Sequence, residues 1–437
     1  MSHINSIIYP PTLDFHYLVQ RPQQIMKSLS QLKIPAYFMN VPNPLTPVSH
    51  GLEKINPYLY VFNHTDPYRF FQPVRPVVYF SATWHINMVR KYNPSLIVFD
   101  SVDEPCDEFA SWQPYYNKAV AMSDIVLATS GQLYHRAKAI NPNTFLVPNA
   151  CDFSFFSQAQ SRNARTPSDI ADIADIAAIA KPVIGYIGAV ASWLDFELLE
   201  QLALTHPEYN IVMIGPMYNV SKVPRPANIH WLGFKEYALL PFYAQMFDVG
   251  IIPFKNTRMT SAVNPIKMWE YMAVGMPVVT TAVPEALKYG SLLWYSRTRE
   301  EFSQNINAAL KEDSEERKNQ RREIARRNSW LSRAQSVKQL IEAALSEKKK
   351  AGLLPETLPE PPDFERLLPA SHRLRAHPSA HMSRKFYSVR TARGNQLQRY
   401  VTPPRNVPVS LKAPPYANPN LNFTVKSPPP YHVGSIV

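Results

Sequence analysis

The chain of 437 residues reads as an α/β protein with two doubly wound parallel-sheet domains and a basic, proline-rich tail. Three observations predict this. Short apolar runs of strand length, such as 95–100 (SLIVFD) and 124–129 (DIVLAT), alternate with stretches of helical period up to residue 345. The stretch 261–281, SAVNPIKMWEYMAVGMPVVTT, reads as loop, helix, cap and buried strand in 21 residues. Composition then changes: residues 351–437 hold 15 of the 42 prolines, too little apolar surface to fold alone.

The first domain is expected over residues 1–156. Residues 4–9 read as its first strand, and an irregular loop, PPTLDFHYLVQRPQQ, leads into a helix from about Pro22. Ligands of open α/β sheets bind beyond the carboxyl ends of strands, so Asp14, His16 and Arg21 stand at a candidate site edge. Arg21 could serve a phosphate, and His16 or Asp14 an acceptor hydroxyl; all three also fit a polar loop capping the helix. Strands are expected at 36–40, 58–63, 76–80, 95–100, 124–129 and 145–148, with loop in the proline-rich stretches between them. Strand 95–100 ends in the acid cluster Asp100, Asp103 and Glu104, which suits acceptor hydroxyls, a metal or a helix cap. Asp103 is the acceptor-side candidate.

Residues 157–181 form a linker with the near-repeat Ala-Asp-Ile-Ala-Asp-Ile-Ala. The second domain is expected over 182–346. It opens as strand, glycine turn and helix in VIGYIGAVASWLDFELLEQLA, where Gly185 and Gly188 allow a ligand near the backbone; a lone G-x-x-G is weak evidence. Strands are expected at 211–215, 229–233, 249–253 and 292–295, and helices at 235–246, 300–310 and 315–345, with a bend at Trp330 and Leu331. Arg258, in the loop after strand 249–253, is a second phosphate candidate or a solvated side chain.

Within 261–281, Asn264 is the expected N-cap and Pro265 the first helical residue, where its missing N–H costs nothing. Ile266, Trp269 and Ala273 recur at helical spacing, and Gly275 fits the left-handed residue that ends the helix. Lys267 and Glu270 share a face. A helix N-terminus with a lysine suits a diphosphate, and a carboxylate one turn on suits a ribose diol. The same pair fits an ordinary i,i+3 surface contact.

NPIKMWEYMAVGMPVV resembles the nucleotide-binding motif of retaining GT-B glycosyltransferases of the family-4 (group 1) class. The resemblance covers roughly residues 1–345 and is strongest in 183–281. It implies two Rossmann-like domains facing a cleft, and a ribose-holding role for Glu270. The family's second glutamate, eight residues earlier, is Ala262 here. In this respect, and in QRPQQ, the chain is similar to a bacterial cell-surface polysaccharide subgroup in which an AVNP-type loop replaces the glutamate-bearing one. Backbone N–H groups around Val263 would then serve the donor. NACD, at 149–152, resembles the turn that closes the first domain. The backbone near Phe234 would face the nucleobase. Where many members carry Arg and Lys after Gly188, this chain has Ser192, Trp193 and Asp195, which places more weight on Lys267 and Arg21.

The formal charge is +12, but 366–437 carries eleven basic and no acidic residues, so 12 − 11 leaves +1 for 1–365. The tail is therefore the cation, with a repeat at 412–416 and 426–431 (KAPPY, KSPPPY) suited to polyproline II. An anionic surface or a coat protein is its expected partner, an inert tail the plain alternative; nucleic acid is not expected, because aromatics are sparse and no nucleic-acid fold is apparent. Two cysteines and no apolar run of the ~18 residues a membrane span needs indicate a cytoplasmic protein, peripheral at most to membrane or spore surface. No signal peptide is read at the N-terminus.

The resemblance implies a hexosyltransferase-type enzyme. It would transfer a sugar with retention, without metal or cofactor, from a nucleotide sugar (UDP first) to a hydroxyl of a cell-surface or spore-coat glycan, free or lipid-linked. A non-catalytic surface-layer protein on the same fold is the alternative, and an epimerase a weaker third.

Overall fold

The computed structural model describes residues 4–158 and 182–367, and the backbone of 373–374. The expected linker segment from 159 and the tail repeats lie outside the described residues. All described residues belong to one compact unit.

Strands β1 (Ile7–Tyr9), β2 (Ala36–Asn40), β3 (Gly51–Asn56), β4 (Leu59–Asn63), β5 (Val77–Phe80), β6 (Leu96–Ser101), β7 (Ile125–Ala128) and β8 (Thr144–Leu146) build the first sheet. The second holds β9 (Val183–Ile187), β10 (Asn210–Ile214), β11 (Ile229–Gly233), β12 (Val249–Ile252), β13 (Val278–Thr281) and β14 (Trp294–Ser296). A short strand β15 (Arg373–Leu374) pairs with β3. The orders are β15-β3-β4-β2-β1-β5-β6-β7-β8 and β11-β10-β9-β12-β13-β14. Among the described strands β3 and β4 alone pair antiparallel.

Alternation explains the layering. Ile7 and Tyr9 face a core with Ile25, Leu29, Trp330 and Ile341, while Ile8 between them faces Phe62, Phe80 and Tyr116 on the other side. In the second sheet Val183 and Ile187 pack toward Trp269 and Met272, and Ile184 and Tyr186 toward Leu199 and Phe302. Each sheet is thus covered on both faces, as parallel sheets require.

The helix Ile266–Val274 buries Met268, Trp269, Tyr271 and Met272 and ends at Gly275 in the left-handed region, φ 91°. The fully buried Arg321 pins that end, donating to the Gly275 carbonyl at 2.8 Å and to Asp313 at 2.7 Å. The helix Glu315–Arg327 stops before Trp330–Lys350, which returns to the first domain and packs Ala334, Val337 and Ile341 beside Ile25, Met26 and Leu29. Its Lys348 reaches Asp124 at 2.7 Å.

Four local expectations are corrected. Residues 51–56 form β3 rather than loop, because Asn56 and the following Pro57 turn the chain into a hairpin with β4. Residues 235–246 are not one helix: Pro241 restarts the backbone, leaving a 3₁₀ turn Tyr237–Leu239 and a short helix Leu240–Ala244. Asn264 is not the N-cap; the cap position is Pro265, ψ 119°, and no side chain caps the helix. The tail does not follow directly on the second domain's end at 346, since Leu354, Leu358 and Phe364 are buried, Leu354 and Phe364 in first-domain clusters, with Phe364 at 5.0 Å from the Phe62 ring.

Candidate active site

The uncapped N-terminus of the helix Ile266–Val274 lies at the junction of the domains. Its Asn264 carbonyl accepts from Asn149 Nδ2 of the first domain at 2.7 Å. The Asn264 side chain is buried and already used: Oδ1 accepts from Trp269 Nε1 at 2.9 Å, and Nδ2 donates to Glu285 Oε2 at 3.1 Å. That is why it does not fold back as a cap.

Lys267 Nζ donates to Glu270 Oε2 at 2.6 Å. The Glu270 residue is 1% exposed, so this is no ordinary surface pair. Burial raises the Glu270 carboxyl above its ordinary value; Lys267 works against the shift and Asp152 adds to it. The next layer is aromatic. Tyr237 stacks on Phe155 with centroids 5.1 Å apart, and its hydroxyl accepts from Gln24 Nε2 at 2.8 Å, across the domains. Tyr17 and Phe234 meet across the same boundary at 5.0 Å.

Glu285 is a cross-domain acceptor that the sequence reading missed. Its carboxylate takes the Gly131 N–H at 2.9 Å, at the N-terminus of the helix Gly131–Lys138, besides Asn264 and Lys288 Nζ at 2.7 Å. Helix N-terminal N–H groups favour an anion there. The local signal was its position just after Pro284, but the partner 154 residues away carries no sequence mark.

Ala262 is fully buried beside Ala128 and Leu133 of the first domain. The position that carries a carboxylate in the resembled family is here an apolar contact between domains. Val263 stays half-buried against the second-domain core.

Arg21 is corrected from a phosphate ligand to the centre of a buried network. Its Nε donates to Asp100 Oδ2 at 2.7 Å and its Nη1 to the Pro148 carbonyl at 3.2 Å. Tyr79 also donates to Asp100 Oδ2, at 2.7 Å. Arg258, the second phosphate candidate, has a side chain 67% exposed whose Nε donates to Glu104 Oε1 across the domains at 3.0 Å. Glu104 also holds Arg136.

Asp14 organises its own loop, accepting from the His16 N–H at 2.6 Å and Thr46 Oγ1 at 2.8 Å. The loop also caps the helix as the plain alternative expected, since the Gln20 N–H donates to Gln23 Oε1 at 3.0 Å and Gln23 Nε2 donates to the Asp14 carbonyl at 2.8 Å, while His16 pairs with Glu53 at 2.9 Å. Asp103 differs from the other acids of its cluster. It is half-buried, no hydrogen bond to its carboxylate occurs among the described side chains, and burial followed by the charge of Asp100 pushes its carboxyl up to about 7.

Gly188 faces the Tyr186 side chain rather than open space. A Cβ there would stand 2.5 Å from the Tyr186 hydroxyl, and one on Gly215, φ 148°, would stand 1.8 Å from the Gly188 carbonyl oxygen. The two glycines let the turns after β9 and β10 touch. Among the described residues no three His, Cys, Asp or Glu side chains are grouped to hold a metal ion, and no helix is long and apolar enough to cross a membrane.

Residues 181–312 match the family model of glycosyl transferases group 1. A curated relative, the putative teichuronic acid biosynthesis glycosyltransferase TuaH of Bacillus subtilis (strain 168), is 30% identical over 158 residues, 34% of this chain. The match spans 40% of that relative's length. Among solved structures, HepE of Anabaena in complex with UDP and glucose superposes with a TM-score of 0.58 at 13% identity, covering 78% of this chain and 99% of that one. The sucrose-phosphate synthase of Thermosynechococcus elongatus gives a TM-score of 0.58 at 14% identity, over 78% and 100%. At these identities the likeness establishes the fold: two Rossmann-like domains in the GT-B arrangement.

Proposed function

We propose that this chain is a glycosyltransferase. It takes a sugar from a nucleotide-diphosphate donor, UDP-linked first, and passes it with retention to a hydroxyl of a cell-surface or spore-coat glycan. The observation that carries this reading is the buried Lys267–Glu270 pair at the uncapped start of the helix Ile266–Val274, inside the segment that matches group 1 glycosyltransferases. The UDP complex of the HepE neighbour and the TuaH relative support the donor and the glycan class.

The donor diphosphate lies over the 263–265 loop at the helix N-terminus, where backbone N–H groups of the first helical turn after Pro265 and the Lys267 ammonium oppose the charge that grows on the leaving group. Glu270 accepts the ribose hydroxyls once Lys267 turns to the phosphate. Phe234 borders the base. The acceptor enters over the first domain's edge, beside Asp103. Arg21, committed to Asp100, positions the Pro148–Asn149 turn rather than touching the donor. The chemistry needs no metal, and the protein works in the cytoplasm, at the periphery of a membrane or spore surface, with its basic tail on an anionic partner.

The buried Ala262 favours a second reading, a non-catalytic surface-layer protein that has kept the fold. Mass-spectrometric turnover of UDP-, GDP-, dTDP- and ADP-hexoses separates the two. Slow hydrolysis of one donor, lost in Glu270→Ala, is expected; no turnover and no binding of any of them would establish the second reading.

A further inference from the structure

Trp84 and Trp112 meet edge to face, centroids 5.8 Å apart and planes at 81°. Phe109 leans on Trp112 at 5.1 Å. The fully buried Thr83 donates from Oγ1 to the Trp112 carbonyl at 2.7 Å, so the segments carrying the indoles, Thr83–Asn87 and Asp107–Trp112, are locked together. His85 supports them from below; burial holds its imidazole neutral, at about 4, and its Nε2 bonds the Pro11 carbonyl at 2.9 Å. Both indoles and the Phe109 ring nevertheless stay partly exposed. Rings this large, held this firmly and left open, cost solvation that a ligand would recover.

Their place in the fold is specific. Trp84 follows β5 and Asp103 follows β6, neighbours in the sheet, so both emerge at its carboxyl edge. Nearby Glu104 touches Arg258 of the second domain. The edge carries Asp103 without a bonded partner and buried Asp100 and Glu104, each with one oxygen unpaired. Asp107 and Glu108 lie on the Trp112 segment itself. The cations beside them are committed: Arg136 and Arg258 to Glu104, and Lys118 to Asn87 at 2.6 Å. Exposed aromatic faces with acceptors at the rim, and with the neighbouring cations already paired, suit a ligand with an apolar face, hydroxyl donors and no negative charge. A pyranose ring has that character; a phosphate or an anionic lipid surface does not.

We propose that Trp84, Phe109 and Trp112 form a stacking platform for an uncharged pyranose ring of the acceptor, with Asp103 receiving one of its hydroxyls. This rests on the glycosyltransferase reading and adds the class of acceptor: a neutral saccharide end rather than a lipid phosphate or an anionic sugar.

The test is tryptophan fluorescence of the full chain titrated with neutral oligosaccharides of glucose, galactose and N-acetylglucosamine, and with anionic phospholipid vesicles. A saturable change is expected with a neutral oligosaccharide, about tenfold weaker in Trp112→Ala and restored in part by Trp112→Phe. Asp103→Asn weakens the same titration without changing the plateau signal. Thermal unfolding of each variant checks the fold, and Trp84→Phe serves if Trp112→Ala does not fold. No response to any neutral sugar, or a vesicle response lost in the same variants, overturns the platform. UDP titrated in parallel into the wild type separates the two ideas: UDP binding without sugar binding sinks the platform only, and absence of both removes the enzyme reading beneath it.

Discussion

Lys267 Nζ stands 2.6 Å from an oxygen of Glu270, a residue only 1% exposed. The pair is held ready but not free, and a donor must part it. Burial raises the Glu270 carboxyl, so the folded state favours its protonated form. With a raised folded value, that contribution to stability is complete below the unfolded carboxylate range of ~4.3 and is lost as pH rises through the folded value. Glu270→Gln is therefore expected to melt no lower than wild type at pH 7 while losing nucleotide binding. Melting curves at pH 5 and 7, beside a UDP titration, check both halves.

Removing the cation is different. Lys267→Met leaves a buried carboxylate without its partner, which typically costs about 3–5 kcal/mol unless the carboxyl protonates. Lys267→Met should lose stability as pH rises from 5 to 8, and Lys267→Met with Glu270→Gln should regain most of it. A double-mutant cycle from denaturant melts measures this, and additive losses would disprove the coupling.

Asp103 gives a second pH signature. Its carboxyl is pushed up to about 7, so the stability its protonated form lends is complete below the unfolded value of ~3.9, is lost steadily as pH rises from there and is gone above about 7. Asp103→Asn should thus gain melting temperature over wild type at pH 8, and gain less at pH 5. If Asp103 receives the acceptor hydroxyl as carboxylate, wild-type transfer falls as pH drops below about 7, and the Asn variant shows a flat profile.

Ala262 predicts a failed restoration. Returning the glutamate of the resembled family would bury a charge between Ala128 and Leu133. Ala262→Glu is expected to destabilise by more than about 2 kcal/mol and to loosen the domain contact rather than to increase transfer. Calorimetric melting and small-angle scattering report the two effects.

Glu285 joins Gly131, Asn264 and Lys288 across the domains. Glu285→Ala leaves a half-buried N–H and a buried amide without an acceptor, a loss of about 1–3 kcal/mol. Glu285→Gln, which keeps an acceptor oxygen, should lose less. An unaltered melt in Glu285→Ala would show that the latch is idle.

Strands such as β6, β7 and β13 were legible because their apolar runs are bounded and local, and the helix Ile266–Val274 because Pro265 and Gly275 mark its ends. What the sequence hid was non-local. The partners of Arg21 and Glu285 lie 79 and 154 residues away, so a candidate phosphate ligand proved to be a buried structural cation, and the latch went unseen. Ala262 read as a missing group; only the packed domains reveal what it touches. The ordered stretch to Phe364 was masked by its prolines, although Leu354, Leu358 and Phe364 supply the apolar contacts that hold it.

The most direct measurement is a calorimetric titration of UDP into the full chain and into Glu270→Gln, with circular dichroism to check that both are folded. The account predicts saturable binding by the wild type and a loss of at least about tenfold in the variant, from the missing ribose contact. Equal affinity in the two proteins, or no binding to a folded wild type, would contradict it.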